Sequence, residues 1–579
     1  MSQSYYLLGL VALPLVGAGV VAAMGKSPAK TVKSVALGFS LLELVLAAAL
    51  WVAYRNQDSQ PVPAGGQPSF RENFSVDWIP SFGIHFSLGV DGISLVMIAL
   101  IAFLVPIVLG ASWEERLPQG RTIGGYFALV LVMQAAMTGV FAATDVFAFY
   151  VMFEVMLIPM YFLIGAFGGL RGTYAATKFF LYSLIGGLLM LASIIGLYVA
   201  SGRVPSRVAA GLGGTLDWAT LRGVAHEIPT STQLWIFAGF AIAFAIKAPL
   251  VPFHTWLPDA GSEAPVGAGT LLVGVLDKVG TFGFLRICLP LLPAASSKLA
   301  WLIITLAVIG ILYGAIVAAG QSDLKRFVTY TSIAHFGFIA LGVFAFTTQA
   351  ISGAVLYMVN HGLATALLFL VVGMLTARGG SRNIRDYGGV GKVAPVLAGF
   401  FLIGALATIA MPGTNSFVSE FLVLIGTFTR HPAWSIIATT GIVLAAVYML
   451  WIYQRTMTGP VRGDGVLQPN PGPRADDGVT GGVLPTGSSH PGGSVATATP
   501  SIAVRVRFGD LSGREIAVLT PLVVLIVFLG LYPKPVLDVI NPTAQRTVAQ
   551  SCHTDPAVPH PAPTGAYNSS LTLTEDSCP

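Results

Sequence analysis

The sequence predicts an all-α polytopic membrane protein with about 14 transmembrane helices, including two inverted five-helix repeats with interrupted helices. Three observations lead to this fold class. Hydrophobic residues make up 54% of the 579 residues and charged residues only 10%, so that the mean hydropathy is +0.77. Apolar runs of about 20 residues, each long enough to cross ~30 Å of hydrocarbon, recur along almost the whole chain, which excludes a β-barrel. Two of these runs are broken by proline next to a charge.

The apolar runs divide the chain into five regions. Residues 1–121 hold three predicted helices and an outer loop, 122–289 and 300–457 are the two repeats, 458–512 form a flexible cytoplasmic loop, and 513–579 hold the last helix and an outer tail. The first run, YYLLGLVALPLVGAGVVAA, lacks a preceding basic residue and a polar cleavage region, which favours a retained span over a signal peptide. The predicted spans are centred near residues 14, 42, 98, 131, 156, 187, 241, 277, 309, 335, 364, 407, 444 and 522.

The segments outside the bundle differ from it in composition. Residues 459–500 are rich in Gly and Pro and cannot bury enough apolar surface to fold, which predicts a flexible loop. The tail carries Cys552 and Cys578, for which the sequence leaves a disulfide and two free thiols as open alternatives. Most basic loop residues become cytoplasmic when the N-terminus lies outside, so we expect a bacterial plasma membrane protein with both termini on the outer, periplasmic side.

Cysteine and glycine patterns argue against redox or nucleotide chemistry on this chain. Three cysteines occur, without a CxxC pair, and the chain has no convincing GxGxxG or GxxxxGK[ST] motif. We therefore expect no metal and no cofactor bound to this chain. The formal charge of +5 is small and lies mostly in loops, which favours a role in membrane orientation over nucleic-acid binding.

Ionisable residues inside the predicted spans are the main functional signal. Placing such a group at the bilayer centre costs about 2.5–3.5 kcal/mol on insertion scales, so each one needs a partner, a hydrated cavity or a function. Two acids, two lysines and a histidine lie at comparable depth in the main spans, and such a set is suited to relaying protons. These residues are Glu154, Lys247, Lys278, His335 and Glu420.

Several of these residues also have a structural interpretation. A lone intramembrane histidine is more often a hydrogen-bonded packing residue than a relay, which applies more to His361 than to His335. Glu43, alone in the second predicted span, more often faces another subunit or a polar pocket than a proton pathway. Glu154 and Lys247 suit a structural ion pair, although a pair that can open is also a switch.

Helix breaks lie beside two of the charges. Pro249 and Pro252 interrupt the span that carries Lys247, and Pro412 interrupts a later span. Proline removes a backbone hydrogen bond, which hydrocarbon tolerates only where the break is enclosed by protein or lines a hydrated cavity. The first break therefore predicts an opening through which water and His254 approach the lysine. Prolines that merely kink the helices are the alternative.

Four stretches together resemble a known family. They read FAIKAPLVPFHTWLPDAGSEAPV, LDKVGTFGFLRICLPLLP, QSDLKRFVTYTSIAHFGFIALG and MVNHGLATALLFLVVGML, and they are similar to signature blocks of the antiporter-like membrane subunits of respiratory complex I. The resemblance covers roughly residues 85–457, and its K-x-P-x-x-P-x-H-x-W-L-P-D-A block is highly specific. Within the family, MPGTNSFVSEF places Glu420 where sister subunits typically carry lysine, and GVDGISL and FEVMLIPMYFLIG match the same glutamate-bearing subunit type.

The resemblance implies a role for each main residue. Glu154 and Lys247 would form a pair whose opening changes the proton affinity of the lysine. Lys278 would be the central relay. His335 would pass the proton onward, and Glu420 would hand it to the outer exit.

Other residues are accessory or depart from the family pattern. His254 and His361 are candidate accessory relay residues. Asp277 precedes Lys278 where an apolar residue is usual, which would alter the local charge of the relay. The 459–500 loop is longer than the family leads us to expect, and we expect it to affect only a surface.

The resemblance also implies partners and an energy source. NADH, FMN, iron-sulfur clusters and quinone would belong to partner subunits, and quinone reduction there would drive proton transfer through a connected row of polar residues. The chain would then be a translocase subunit without redox chemistry of its own, beside sister antiporter-like subunits on both sides and within the lipid bilayer. A subunit of a multisubunit cation/proton antiporter or of a membrane-bound hydrogenase is the alternative function, and a scaffold that conducts nothing is a third.

Overall fold

The computed structural model describes residues 4–25, 27–58, 70–115, 117–467 and 508–556, and these form a bundle of long helices. The predicted all-α membrane fold is confirmed. In the described ranges, eleven helices are long and apolar enough to cross a membrane, or up to twelve if the bent pair Ile384–Lys392 and Pro395–Thr408 is one span. The predicted count of about 14 is not confirmed.

Three of the predicted spans fall short of a full apolar span, although helices lie near all the predicted centres. The helix near residue 335 carries lysine and arginine in its first turn, and the helix near residue 277 is divided by two π-helical segments. The helix near residue 407 has only 14 residues. Polar side chains and a broken backbone suit the interior of a bundle, where neighbouring helices replace lipid.

The N-terminal region contains a two-stranded sheet where the sequence predicted only a loop. The strands β1 (Arg71–Ile79) and β2 (Ile84–Val90) are antiparallel, and the turn between them passes through Gly83 at φ 61°, a left-handed conformation that favours glycine. A bridge between Leu88 and Ala143 joins this hairpin to the end of the helix Ile123–Ala142. The helices of this region are α1 (Tyr6–Ala23), α2 (Ala29–Asp58) and α3 (Gly92–Ala111).

The first repeat region is divided into many short helices. Two π-helical segments, Leu272–Leu276 and Phe284–Cys288, separate its last three helices. The helices are α4 (Ile123–Ala142), α5 (Val146–Val155), α6 (Leu157–Phe167), α7 (Gly172–Ser201), α8 (Pro205–Ala209), α9 (Trp218–Val224), α10 (Thr230–Lys247), α11 (Trp256–Glu263), α12 (Val266–Leu271), α13 (Lys278–Gly283) and α14 (Leu289–Leu291).

The second repeat region is built around one long buried helix. This helix, α17, has 32 residues, and its most apolar 18-residue window is completely buried. The helices of the region are α15 (Pro293–Ala319), α16 (Leu324–Val343), α17 (Thr348–Gly379), α18 (Pro395–Thr408), α19 (Asn415–Phe428) and α20 (Pro432–Met457).

Each repeat region contains one of the two proline-bearing breaks that the sequence predicts. The first break follows α10 and contains Pro249 and Pro252. The second follows α18 and contains Pro412 and Gly413, whose φ of 94° only glycine adopts readily. Each break ends a helix and leaves backbone groups that side chains can reach.

The C-terminal region holds one predicted helix and one that the sequence analysis missed. After α21 (Gly513–Leu531), the shorter α22 (Lys534–Gln550) packs against α3. The two backbones touch at Gly92, where an added Cβ would lie 2.0 Å from Val539 O. Because α22 is polar on average, its sequence gave no span signal.

The predicted cytoplasmic loop is described only at its two ends. Residues 468–507 lie outside the described residues, but its first part folds back on the bundle, where Arg462 N donates to Gly388 O at 3.1 Å and Val466 is buried. In the tail, Cys552 is disulfide-bonded, whereas its predicted partner Cys578 lies outside the described residues.

Candidate functional site

Lys247 is the last residue of α10 and is completely buried at the first helix break. Its Nζ lies 5.1 Å from the ring centroid of Phe153 and 5.3 Å from that of Phe179, and it has no hydrogen-bond partner. Aromatic faces attract a cation, but they do not replace the hydrogen bonds that an ammonium group makes in water. The lysine is therefore an incompletely satisfied group in an apolar enclosure.

Glu154, the predicted partner of Lys247, is half-buried near the end of α5. Its Oε1 is buried without a hydrogen-bond partner and lies against Gly187 of α7, where an added Cβ would be 1.9 Å away. The two charges interact electrostatically, yet no ion-pair contact within 4.0 Å joins these two described residues. The structure therefore contains the pair in an open arrangement.

Lys278, the first residue of α13, is the most heavily contacted of the predicted residues. Its Nζ lies 2.9 Å from Asp277 Oδ1 and 2.8 Å from His361 Nδ1, and it donates to Val273 O. Val273 belongs to a π-helical segment, in which Asp277 N bonds to Leu272 O five residues back. Because the backbone hydrogen bonds are shifted by one residue in this segment, the Val273 carbonyl can accept a hydrogen bond from the lysine. A functional site is a common setting for such a segment.

A second group of polar residues continues from Lys278 toward the second helix break. The rings of His361 and His335 have centroids 5.4 Å apart, and His335 Nδ1 bonds to the Tyr357 hydroxyl. That hydroxyl also donates to Glu420 Oε1, which lies 3.6 Å from His335 Nδ1. All four side chains are buried, so a row of titratable groups leads from the central lysine to Glu420. Hydrogen bonds join its members except at the step from His361 to His335, whose rings are in contact while the Nε2 atom of each has no hydrogen-bond partner.

Helix geometry accounts for this alignment. Tyr357 and His361 are four residues apart on α17 and therefore share one face of that helix. Asn360 and Asn415 fix α19 against α17 by reciprocal hydrogen bonds to each other's backbone carbonyl, at 2.7 and 3.2 Å. Glu420 follows five residues after Asn415, so these bonds hold its helix beside α17.

The structure brings in two residues beyond the five main ones. His361, expected only as an accessory residue, contacts Lys278 directly. Tyr357 was not predicted at all, because one tyrosine in a long apolar run resembles a packing residue. Its spacing of four from His361 was the only available signal.

Two other predicted residues lie apart from this group. His254 is buried, stacks edge-on against Tyr313 with centroids 5.0 Å apart, and has no hydrogen bond from either ring nitrogen. Glu43 is completely buried and accepts a 3.5 Å hydrogen bond from Thr138. Its other carboxylate oxygen, Oε2, is buried without a hydrogen-bond partner.

Ion pairs lie close to the first break, on the helix that follows it. Asp259 of α11 lies 2.7 Å from Lys178 Nζ on α7 and 2.7 Å from Arg326 Nη1 on α16. Burial would raise the pKa of Asp259, but the hydrogen bonds and charges of these two cations lower it below its usual value. A further buried pair, Asp91 and Arg286 at 2.8 Å, was also not predicted.

In the part of the chain that the structure describes, no three His, Cys, Asp or Glu side chains are grouped so as to hold a metal ion. The polar residues lie in a row instead. The ring of Phe336 lies beside this row, with its centroid 5.1 Å from Lys278 Nζ and 5.4 Å from the ring centroid of His361. Such an arrangement suits the passage of a proton from one group to the next.

Comparison with known proteins gives consistent results. A family model described as NADH:quinone oxidoreductase/Mrp antiporter, TM, matches residues 143–445. NADH-quinone oxidoreductase subunit M of Mycobacterium tuberculosis (strain H37Rv) is 43% identical, with 97% of this chain and 98% of the relative covered. The protein of the same name from Pseudomonas aeruginosa PAO1 is 35% identical over 92% of this chain and 95% of its own.

Solved structures share the fold. A chain of respiratory complex I from Thermus thermophilus superposes with a TM-score of 0.75 at 29% identity, over 94% of this chain and 99% of that one. A chain of the Mrp complex from Dietzia sp. gives a TM-score of 0.74 over 94% and 97%, but at 22% identity this likeness concerns the fold alone.

Proposed function

The chain belongs to the NADH:quinone oxidoreductase/Mrp antiporter family as a proton-translocating membrane subunit of NADH-quinone oxidoreductase, and we propose that its protons move from Lys247 through Lys278 to Glu420. The observation that supports this path is the row of contacts from Lys278 through His361, His335 and Tyr357 to Glu420, in which only the step from His361 to His335 lacks a hydrogen bond. Buried titratable groups in contact with one another can exchange protons without exposure to lipid.

The Glu154–Lys247 pair acts as the switch. A nearby carboxylate stabilises the protonated form of a lysine, whereas burial in apolar surroundings favours the neutral form. Moving Glu154 toward or away from Lys247 therefore loads or releases a proton. The open arrangement, in which both groups lack hydrogen bonds, corresponds to the releasing state.

Between Lys278 and Glu420, protons pass through side chains that can accept a proton and then give one up to the next group. Neutral His361 accepts a proton from Lys278 at one ring nitrogen and gives up a proton from the other. The Tyr357 hydroxyl accepts from His335 while donating to Glu420, so protons shift along it without movement of the ring. Glu420, beside the second break, releases the proton to the outer side.

Partner subunits supply the energy and the redox chemistry. We assign NADH, FMN, iron-sulfur clusters and quinone to those subunits, and to this chain the role of a translocase subunit in a bacterial plasma membrane with both termini on the periplasmic side. Glu154 supports contact with a sister subunit: it is the ninth residue of α5, about 13 Å into the span, and is only half-buried. A carboxylate at that depth needs cover from a neighbouring protein surface.

Proton pumping by the assembled complex in vesicles tests this function. Lys247→Ala, Lys278→Ala and Glu420→Ala should each lower the number of protons moved per NADH oxidised. Lys534→Ala is the matched control, because this lysine is 64% exposed and pairs only with Asp538. If all three variants assemble and keep the parental proton-to-electron ratio, the assignment is wrong.

A further inference from the structure

Asp277 is a completely buried carboxylate that the path above does not use. Its Oδ1 lies 2.9 Å from Lys278 Nζ, whereas its Oδ2 is buried without a hydrogen-bond partner. Consecutive helical side chains leave the helix about 100° apart, so Asp277 and Lys278 start in different directions although Oδ1 contacts the lysine. A half-satisfied buried charge is costly, which indicates a use for the second oxygen.

Helix packing shows where Asp277 faces. Gly280 lies one turn further along the same face, and an added Cβ there would be 2.5 Å from both Ala248 N and Phe244 O. The backbone of α13 therefore touches the end of α10. Lys247 is the last residue of α10, so Asp277 and Lys247 lie on either side of this contact.

The electrostatics agree with this placement. Asp277 lies within electrostatic range of Lys247 as well as Lys278. Lys247 Nζ and Asp277 Oδ2 are both buried and both lack a hydrogen-bond partner. The rings of Phe153 and Phe179 also face the ammonium group, and Glu154 and Asp277 are the two acids within electrostatic range of it.

We propose that Asp277 carries protons between Lys247 and Lys278, an inference that rests on the proposed function. Protonated Lys247 loses a proton to the Asp277 carboxylate, directly or through one water molecule, and an O–H bond forms at Oδ2. Rotation of the carboxyl group brings this O–H to neutral Lys278, where the O–H bond breaks and an N–H bond forms. The net charge of the three groups is the same before and after, and no electron is transferred.

The competing interpretation is that Asp277 is a fixed counter-ion for Lys278. Asp277→Asn separates the two, because the amide oxygen still accepts a hydrogen bond from Lys278 but cannot take up a proton at working pH. We expect the rate of proton pumping to fall about 100-fold, the size of effect typical of a lost acid–base group. Asp277→Glu should restore a substantial part of the pumping, since it can again carry a proton.

Glu43→Gln is the matched control, as it makes the same carboxylate-to-amide change in a completely buried acid outside the path. Its pumping should equal that of the parent. If Lys278→Ala abolishes pumping while Asp277→Asn pumps like the parent, the role of Asp277 is overturned and the proposed function stands. If Lys278→Ala itself pumps normally, the proposed function fails.

Infrared difference spectroscopy of the whole complex during turnover measures a signal that a fixed counter-ion would leave unchanged. A relay predicts a carbonyl band of a protonated carboxylic acid that appears during turnover, shifts in D2O and shifts again in Asp277→Glu. This measurement decides the matter even if Asp277→Asn does not assemble. Identical spectra for the parent and Asp277→Glu would overturn the proposal.

Discussion

The two ends of the proton path differ in how completely their polar atoms are satisfied. Near Lys247, the ammonium group and Glu154 Oε1 are both buried without hydrogen-bond partners. Near Glu420, the carboxylate, the Tyr357 hydroxyl and His335 Nδ1 are joined in one hydrogen-bonded group. We refer to these as the open end and the connected end.

This difference indicates which end changes state during transport. A satisfied buried network holds its members rigidly, whereas an unsatisfied charge gains free energy from any movement that gives it a partner. We therefore propose that the connected end conducts in its present arrangement and that loading and release are controlled at the open end.

The cause lies in the backbone at each end. At the connected end, Tyr357 and His361 project from an uninterrupted helix, and Asn360 holds the neighbouring α19 in place. At the open end, α10 stops at Lys247, and the residues after it form turns. Side chains on a continuous helix keep a fixed spacing, whereas one at a helix end can change its surroundings through small backbone movements.

Tyr357→Phe breaks the connected end and should have the largest effect. The variant removes the one hydroxyl that bonds to both His335 and Glu420. Proton pumping should fall about 100-fold, as is typical when a positioned proton-transfer group is lost. The measurement is proton uptake or release by the reconstituted complex per NADH oxidised.

Tyr448→Phe is the control for that variant. Tyr448 is also buried and within electrostatic range of Glu420, but its hydroxyl has no hydrogen-bond partner. Removing it should leave pumping unchanged. Equal losses in the two variants would mean that Tyr357 acts through packing, and the connected end would no longer differ from the open end.

The sequence predicts the charged residues at the two ends of the proposed path better than it predicts the residues that connect them. Glu154, Lys247, Lys278 and Glu420 can be found because a charge in an apolar run is costly and therefore conspicuous. Tyr357 cannot, since tyrosine in a membrane span has ordinary packing uses.

Contacts between distant segments are a further limit on prediction from sequence. The pairing of Asp91 with Arg286, and the contact of α22 with Gly92, depend on tertiary packing that no local pattern contains. The β1–β2 hairpin escaped prediction for a different reason, because its short strands lie in a loop between apolar runs. The helical fold itself was predictable, since apolar length alone indicates it.

Gly187→Ala tests the open end and should have an intermediate effect. The new methyl group would lie 1.9 Å from Glu154 Oε1, so the carboxylate must move away from its present position. Displacing a proton-affinity switch should lower proton pumping severalfold, which is less than the loss of the Tyr357 hydroxyl does, with a smaller effect on NADH oxidation.

Gly196→Ala on the same helix is the control, because its new Cβ would lie 3.4 Å from Ile236, an ordinary contact. It should pump like the parent. If Gly187→Ala also pumps like the parent, the position of Glu154 is not critical and the open end is not the control point.

Asp259→Asn should have the smallest effect on pumping, because Asp259 joins the helices next to the open end and lies outside the proposed path. Asp259 joins α11 to Lys178 on α7 and to Arg326 on α16, and its side chain is 15% exposed. Hydrogen bonds to charged groups contribute about 1.5–3 kcal/mol, so at pH 7 the variant should lose about 2 kcal/mol of stability. Pumping at moderate temperature should stay near the parental value. Thermal unfolding of this chain can be followed by thiol labelling of Cys288, which is buried and free.

The pH dependence of that loss distinguishes ion pairing from packing around Asp259. Because the folded-state pKa of Asp259 is lowered, its charge stabilises the fold at any pH above its unfolded value of about 3.9. The stability difference between parent and Asp259→Asn should be constant from pH 7 to about pH 5 and shrink as the pH falls through the folded-state pKa. A difference that is the same at about pH 3 as at pH 7 would show that the side chain acts through packing alone. In that case the ion pairs around the first break do not hold the open end in place. The packing of α7, α11 and α16 must then maintain its present arrangement.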